Sequence, residues 1–161
     1  MIRKSNHLKS ELIQKVGNAV QLFQEGTDTF DDAAADYLGL NRTDLKCLGI
    51  IFRNQPISAS EVARQTGLTR GATTTALDRI ESSGYVRRVS DPTDGRGVLL
   101  ELTKKTYDAL EVLWGKLAEI GAQSLEQYHV AELECLLRFL EEGYKLQIDQ
   151  AARVRSLKPM K

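Results

Sequence analysis

The sequence predicts a mainly α-helical fold that contains one β-hairpin, and three observations support this. Apolar residues recur at spacings of three and four along most of the chain, which is typical of amphipathic helices. Residues 85–102 are instead rich in β-forming residues on either side of a turn-forming segment. The length of 161 residues, with 42% hydrophobic and 27% charged residues, is that of an ordinary globular domain.

Caps and helix breakers place the first elements. The first helix covers residues 8–23 and ends at residues 26–28, which are Gly, Thr and Asp. Residues 30–38 are acidic and alanine-rich and are predicted to form a helical turn or two. Asn41 is a good N-cap for the next helix, and Pro56 stops that helix.

A helix-turn-helix is predicted next. Residues 58–61, with the sequence Ser-Ala-Ser-Glu, form a capping box for a short helix that ends at Gly67. Thr69 caps the following helix, which runs to Gly84. The turn at residues 65–69 is short and contains glycine, as a helix-turn-helix requires.

The second helix of this pair has two different sides at about 100° per residue. The side expected to be buried carries Thr73, Ala76, Leu77 and Ile80. The opposite side is small and rich in hydroxyl groups, and it carries Gly71, Thr75, Asp78 and Ser82, flanked by Thr74 and Arg79. Such a side can lie against base edges and phosphates in the major groove of DNA.

The β-hairpin follows this helix. Its strands are predicted at residues 85–89 and 98–102, with a polar turn at residues 91–97 between them. Thr103 starts the next helix, residues 121–129 form a break, and a last amphipathic helix follows. A helix-turn-helix followed by a two-stranded β-wing is a winged helix.

Short motifs accompany this order of elements. They are Ser58-Ala59-Ser60-Glu61-Val62-Ala63, Gly67-Leu68-Thr69-Arg70, Leu77-Asp78-Arg79-Ile80-Glu81, Gly84-Tyr85-Val86-Arg87-Arg88, Asp91-Pro92-x-Asp94-x-Arg96-Gly97 and Leu102-Thr103. With them, residues 40–103 resemble the MarR family of transcriptional regulators. The resemblance implies a winged helix-turn-helix flanked by N- and C-terminal dimerisation helices. We expect the DNA-binding domain with its connecting helix at residues 41–120, and the dimerisation helices at residues 1–40 and 121–161.

The resemblance also implies a set of DNA contacts. The expected DNA-binding residues are Ser58, Ser60, Thr69, Arg70, Gly71, Thr74, Thr75, Arg79, Arg88, Asp94 and Arg96. The resemblance places Arg96 in the minor groove, with its guanidinium oriented by the carboxylate of Asp94. Arg70 is the main candidate for reading guanine in the major groove.

Several of these residues have a second interpretation. Arg79 is either a DNA contact or a member of an ion pair within the fold, and Ser58 is equally well explained as a helix cap. Because neighbouring side chains alternate along a strand, only one of Arg87 and Arg88 can face DNA, and Arg88 is the choice. Asp78 on the outward side is expected to repel phosphate.

Charge and composition limit the other function classes. The formal net charge is zero, but residues 64–96 carry six arginines against four acidic residues, and residues 145–161 carry five basic residues against Asp149. No apolar run approaches the roughly 20 residues of a membrane span. The N-terminal segment lacks a signal-peptide pattern, so we expect a cytoplasmic protein without membrane contact.

Cysteine, histidine and catalytic motifs offer little further chemistry. Cys47 and Cys135 are expected to be small buried hydrophobic residues, and a cysteine-based redox regulator is the alternative. His7 and His129 are too isolated for a metal or catalytic site. No catalytic motif is present in the sequence, so we expect no enzyme, no metal and no cofactor.

The expected partners are DNA, a second copy and a small molecule. The apolar stripes at both chain ends would be a large exposed patch in a monomer, which favours a homodimer. Two recognition helices about 34–36 Å apart match half-sites one helical turn apart, and therefore an inverted-repeat operator. The resemblance implies repression that a small-molecule effector relieves, and an activator is the alternative. A winged-helix protein-interaction module that does not bind DNA is the alternative from another class.

Overall fold

A computed structural model describes residues 2–94 and 97–157 of the chain. Its elements, in chain order, are α1 (Ile2–Leu38), α2 (Arg42–Asn54), β1 (Ile57–Ser58), α3 (Ala59–Thr66), α4 (Arg70–Ser82), β2 (Val86–Ser90), β3 (Val98–Leu102), α5 (Lys104–Leu110), a π-helical segment (Glu111–Gly115), α6 (Lys116–Leu125) and α7 (Val130–Arg155). They form two compact units, Met1–Leu113 and Trp114–Lys161. The predicted mainly α fold with a β-wing is confirmed. Within the described residues, none of the helices combines the length and the apolar character that crossing a bilayer requires.

Helix α1 is continuous, so the predicted end at residues 26–28 is wrong. The Thr27 hydroxyl donates to the carbonyl of Phe23 at 3.0 Å, which keeps this polar side chain satisfied inside the helix. Gly26 costs only about 1 kcal/mol relative to alanine in a helix. The rest of a 37-residue helix offsets a penalty of that size.

The caps that begin α2 and α4 are confirmed. The Asn41 side chain accepts a hydrogen bond from the Asp44 N–H at 2.9 Å, and the Asp44 carboxylate accepts one from the Asn41 N–H at 3.4 Å. Together they form a capping box for α2, which ends two residues before Pro56. At the start of α4, Thr69 Oγ1 accepts a hydrogen bond from the Ala72 N–H at 3.3 Å.

Helix α3 has only half of its predicted capping box. Ser58 Oγ accepts a hydrogen bond from the Glu61 N–H at 3.3 Å. The Glu61 carboxylate instead accepts hydrogen bonds from Arg64 and Gln65, which lower its pKa to about 2. Gly67 ends the helix as predicted, with φ at +74° in the left-handed region.

The predicted hairpin is confirmed and belongs to a three-stranded sheet. Strands β2 and β3 pair antiparallel, from Val86 opposite Leu102 to Ser90 opposite Val98. The short β1 pairs with the other edge of β3, which gives the order β1-β3-β2. Sequence reasoning missed β1 because two residues are too few to show a period-two pattern.

The core of the winged-helix region lies between α2, α4 and β3. Its largest fully buried apolar side chains are Leu48, Ile51, Leu77, Ile80 and Leu100, each at most 2% exposed. Burial of one such side chain contributes about 1.5–3 kcal/mol to the stability of the fold. One side of α4 packs on this core, and the opposite side of the helix faces solvent.

The second unit contains α6 and α7, and the predicted break between them is too long. Helix α6 continues through Gly121, so only residues 126–129 separate the two helices. The Ser124 hydroxyl donates to the Gly121 carbonyl at 2.7 Å. Glu132 accepts a hydrogen bond from the His129 N–H at 2.8 Å at the start of α7. An isolated glycine within a helical pattern is again tolerated.

Candidate nucleic-acid interface

Helix α4 has the two sides that the sequence predicts. Its inner side chains are at most 2% exposed, and they are Thr73, Ala76, Leu77 and Ile80. Its outer residues are exposed, and they include Gly71, Thr74, Thr75, Asp78 and Ser82. The outer side is short-chained along most of its length, so another molecule can come close to the helix backbone.

The threonines of the outer side have their hydroxyl hydrogens engaged within the helix. Thr74 Oγ1 donates to the carbonyl of Arg70 and Thr75 Oγ1 donates to the carbonyl of Gly71, both at 3.0 Å. Each oxygen therefore keeps its acceptor capacity, and each methyl group remains available. Such groups suit the amino groups of adenine and cytosine and the methyl group of thymine.

Arg70 stands at the exposed first position of α4. In helix-turn-helix proteins, this end of the second helix carries the residues that reach base edges. A guanidinium there can donate two parallel hydrogen bonds to O6 and N7 of guanine. The structure thus places the strongest predicted base reader where that contact is feasible.

Hydroxyl groups cluster at the N-termini of α3 and α4. Ser58 Oγ caps α3 and lies 2.9 Å from the Oγ of the exposed Ser60. Thr69 caps α4. Helix N-termini attract anions through their backbone N–H groups and dipole. Both interpretations of Ser58, as a cap and as a phosphate neighbour, are compatible with this position.

Arg79 pairs with Asp44 inside the fold. Its Nε donates to Asp44 Oδ2 at 2.9 Å, and its Nη2 donates to Asp44 Oδ1 at 2.6 Å. Asp44 is only 1% exposed, and its hydrogen bonds raise the pKa of the Arg79 guanidinium. Of the two interpretations of Arg79, the structure therefore shows the ion pair, which ties α4 to α2. Sequence reasoning missed Asp44, because 35 positions separate the partners.

The two arginines of β2 point in different directions, as strand alternation predicts. Arg87 Nη2 lies 2.9 Å from Glu101 Oε2 on the neighbouring strand. Arg88 Nη2 lies 2.7 Å from Asp78 Oδ1 on α4, and its Nη1 bonds to Glu81. Asp78, which the sequence places on the outer side as a source of repulsion, is therefore paired with a cation.

The wing turn is organised by Asp91. Its Oδ1 accepts hydrogen bonds from the Thr93 N–H at 2.8 Å and the Thr93 hydroxyl at 2.7 Å, and these bonds lower the pKa of Asp91. A Cβ at Gly97 would lie 2.7 Å from the Asp91 Cβ, so the turn requires glycine there. Asp94 is exposed, and Arg96, its predicted partner, lies outside the described residues.

The two cysteines have different environments. Cys47 is fully buried, and burial raises the pKa of its thiol to about 11. A protonated, inaccessible thiol is a poor redox sensor. Cys135 is exposed, so its predicted burial is wrong: it lies beside the apolar stripe of α7 and not within a core. In the described part of the chain, no three His, Cys, Asp or Glu side chains could hold a metal ion.

Comparisons with known proteins agree with this geometry. The MarR family profile matches residues 38–97. The uncharacterized HTH-type transcriptional regulator YcgE of Bacillus subtilis is 35% identical over 140 residues, which cover 85% of this chain and 91% of YcgE. The HTH-type transcriptional repressor Rv2887 of Mycobacterium tuberculosis is 32% identical over 73 residues, which cover 45% of this chain and 52% of Rv2887.

A solved structure shares the fold. It is a MepR variant from S. aureus bound to an oligodeoxyribonucleotide, with a TM-score of 0.56 and 15% sequence identity, and the match covers 82% of this chain and 97% of that chain. Taken with the outer side of α4, the capped helix-turn-helix and the wing, these matches show that the chain belongs to the MarR family of winged helix-turn-helix, DNA-binding transcriptional regulators.

Proposed function

We propose that this regulator acts as a homodimer that binds an inverted-repeat operator and represses transcription until a small-molecule effector is bound. The observation that carries the proposal is the exposure of large apolar side chains on α1 and in the second unit. Phe23 is 73% exposed and Leu22 67%, and Tyr144 is 71% exposed and Leu140 60%. Large apolar side chains exposed in such numbers are typical of an interface.

A second copy would cover these apolar side chains and place two α4 helices on one duplex. A two-fold dimer presents them about 34–36 Å apart, which corresponds to one turn of B-DNA. The half-sites of the operator then mirror the symmetry of the protein. An effector that favours a different spacing of the two helices would lower the affinity for DNA.

Within each half-site we assign distinct roles to the candidate residues. Arg70, Thr74 and Thr75 face base edges, and Gly71 permits close approach of the backbone. Ser58, Ser60 and Thr69 face phosphates at the helix N-termini. Arg96, oriented by Asp94, reaches the minor groove. Arg79 acts indirectly, by holding α4 on α2.

Repression and effector control are the two most specific elements of the proposed function. The similarity to a relative named as a repressor supports repression. Effector control is proposed from the resemblance to the MarR family, and a ligand can exert it only through different affinities for two arrangements of the protein.

The test is a selection of random duplexes with the purified full chain, followed by affinity measured against salt. We expect enrichment of a two-fold symmetric site and a steep linear fall of log affinity with log salt concentration. Absence of any enriched sequence, with weak binding that salt removes, would overturn the operator proposal in favour of a protein-interaction module. An asymmetric enriched site would overturn the dimeric part alone.

A further inference from the structure

Arg88 on β2 bonds to two acidic residues of α4. Its Nη2 donates to Asp78 Oδ1 at 2.7 Å, and its Nη1 donates to Glu81 Oε2. The side chains of Arg88, Asp78 and Glu81 are 38%, 56% and 33% exposed. The cluster therefore lies at the surface, and Asp78 belongs to the outer side of α4.

The charge of this cluster matters for a surface that approaches DNA. One guanidinium against two carboxylates leaves a formal charge of −1, and without Arg88 the same surface would carry −2. B-DNA carries one negative charge per about 1.7 Å of its axis. Uncompensated carboxylates on the recognition helix would repel it, over a screening distance of about 8–10 Å at ordinary salt.

We propose that Arg88 is a positioning residue, which raises DNA affinity by offsetting the charge of Asp78 and Glu81 and not by contacting DNA. Both terminal nitrogens of its guanidinium already donate to carboxylates, one to each acid. Because Arg88 sits on β2, the same bonds hold the wing strand against α4. This inference rests on the proposed function, since it requires α4 to approach a duplex.

The neighbouring Arg87 provides a matched control. It has the same charge on the same strand and is also exposed, but it pairs with Glu101 on β3. Replacing it removes one positive charge from the wing without exposing the acids of α4. Comparing the two variants therefore separates the effect of losing a positive charge from the effect of leaving Asp78 and Glu81 without their cation.

The experiment compares Arg88→Gln, the triple variant Asp78→Asn/Glu81→Gln/Arg88→Gln, Arg87→Gln and wild type on the selected duplex across a salt series. We expect Arg88→Gln to lower affinity on the order of tenfold, because it leaves two uncompensated carboxylates on α4 beside the surface that approaches the phosphates. The triple variant should bind at least as tightly as wild type and keep the wild-type salt slope. Arg87→Gln should stay within about twofold of wild type.

The opposite result is a triple variant as weak as Arg88→Gln, with the salt slope reduced by about 1 for each lost phosphate contact. That outcome would make Arg88 a direct contact and overturn the inference. Should Arg88→Gln not fold, the triple variant against wild type decides alone, and Arg88→Lys, which keeps the charge, should retain most of the affinity. A wild-type protein that selects no duplex would instead overturn the proposed function, and this inference with it.

Discussion

The winged-helix region and the helices around it differ in where their apolar side chains lie. Between α2 and β3, side chains such as Ile51 and Leu100 are at most 1% exposed. On α1 and α7, by contrast, Ile13 is 62% exposed and Leu140 is 60% exposed. The winged-helix region thus completes its core within one chain, whereas α1 and α7 each leave large apolar side chains exposed to solvent.

Of the changes that test this comparison, truncating a side chain of the winged-helix core should have the largest effect, a loss of folding stability. Ile51→Ala should lower the free energy of unfolding by about 2–5 kcal/mol, because it leaves a cavity in a closed core. Chemical denaturation at two protein concentrations measures the effect, and the loss should be the same at both. Ile13→Ala is the matched control, and its loss should depend on concentration. A concentration-independent loss from Ile13→Ala would contradict the distinction between the two regions.

Charging the apolar surface should have the next largest effect. Leu140→Asp should convert the proposed dimer to a monomer, measured by light scattering, and should lower operator affinity by about a hundredfold or more as the second half-site contact is lost. Lys145→Gln changes the net charge by the same amount on another side of α7, and it should leave the oligomeric state and the operator affinity unchanged. A Leu140→Asp protein that stays dimeric would show that α7 lies outside the interface.

Within the winged-helix region, Arg70→Ala should have a moderate effect confined to specificity. Loss of a bidentate contact should cost about 1–3 kcal/mol of discrimination against the wrong base at one position of each half-site. A repeated duplex selection measures this as relaxed preference at that position. Arg64→Ala, which removes an exposed arginine paired with Glu61 on α3, should leave the selected sequence unchanged. If the base preference of the selected duplexes were unaltered after Arg70→Ala, residues other than Arg70 would have to read the bases.

The smallest effect concerns the cysteines. Burial raises the pKa of Cys47 in the folded state to about 11, whereas an unfolded thiol has a pKa of about 8.5. Between these two pH values the thiol is protonated in the folded state and ionised in the unfolded state. Its contribution to stability is present below about pH 8.5 and is lost as pH rises towards 11. Iodoacetamide at pH 8 should modify Cys135 and leave Cys47 unmodified, as read by mass spectrometry. Rapid modification of Cys47 would contradict its burial.

Local signals in the sequence were sufficient for the elements that position the site. The caps at Asn41 and Thr69, the end of α3 at Gly67 and the two sides of α4 were all predicted, because each depends on residues within about one helical turn. The helix ends predicted at Gly26 and Gly121 are wrong, because whether a helix continues through a glycine depends on the longer segment around it. In both helices the summed helix preference of the neighbouring residues outweighs a single glycine.

The ion pairs of the site could not be predicted from spacing. The pairs of Arg79 with Asp44 and of Arg88 with Asp78 join separate elements, and only the packing of α4 on α2 and β2 brings their atoms together. Sequence reasoning singled out Arg79 and Arg88 as candidate site residues but did not identify the partners of their ion pairs. It left the role of Arg79 open and took Arg88 for a direct DNA contact.

The most direct test of the central claim is the mass of the complex formed on the selected operator, measured by sedimentation. We expect two protomers on one symmetric duplex, and much weaker binding to a duplex that carries a single half-site. Stepwise, independent binding of single protomers, with equal affinity for the isolated half-site, would contradict the claim that exposed apolar helices join two chains to place two recognition helices on DNA.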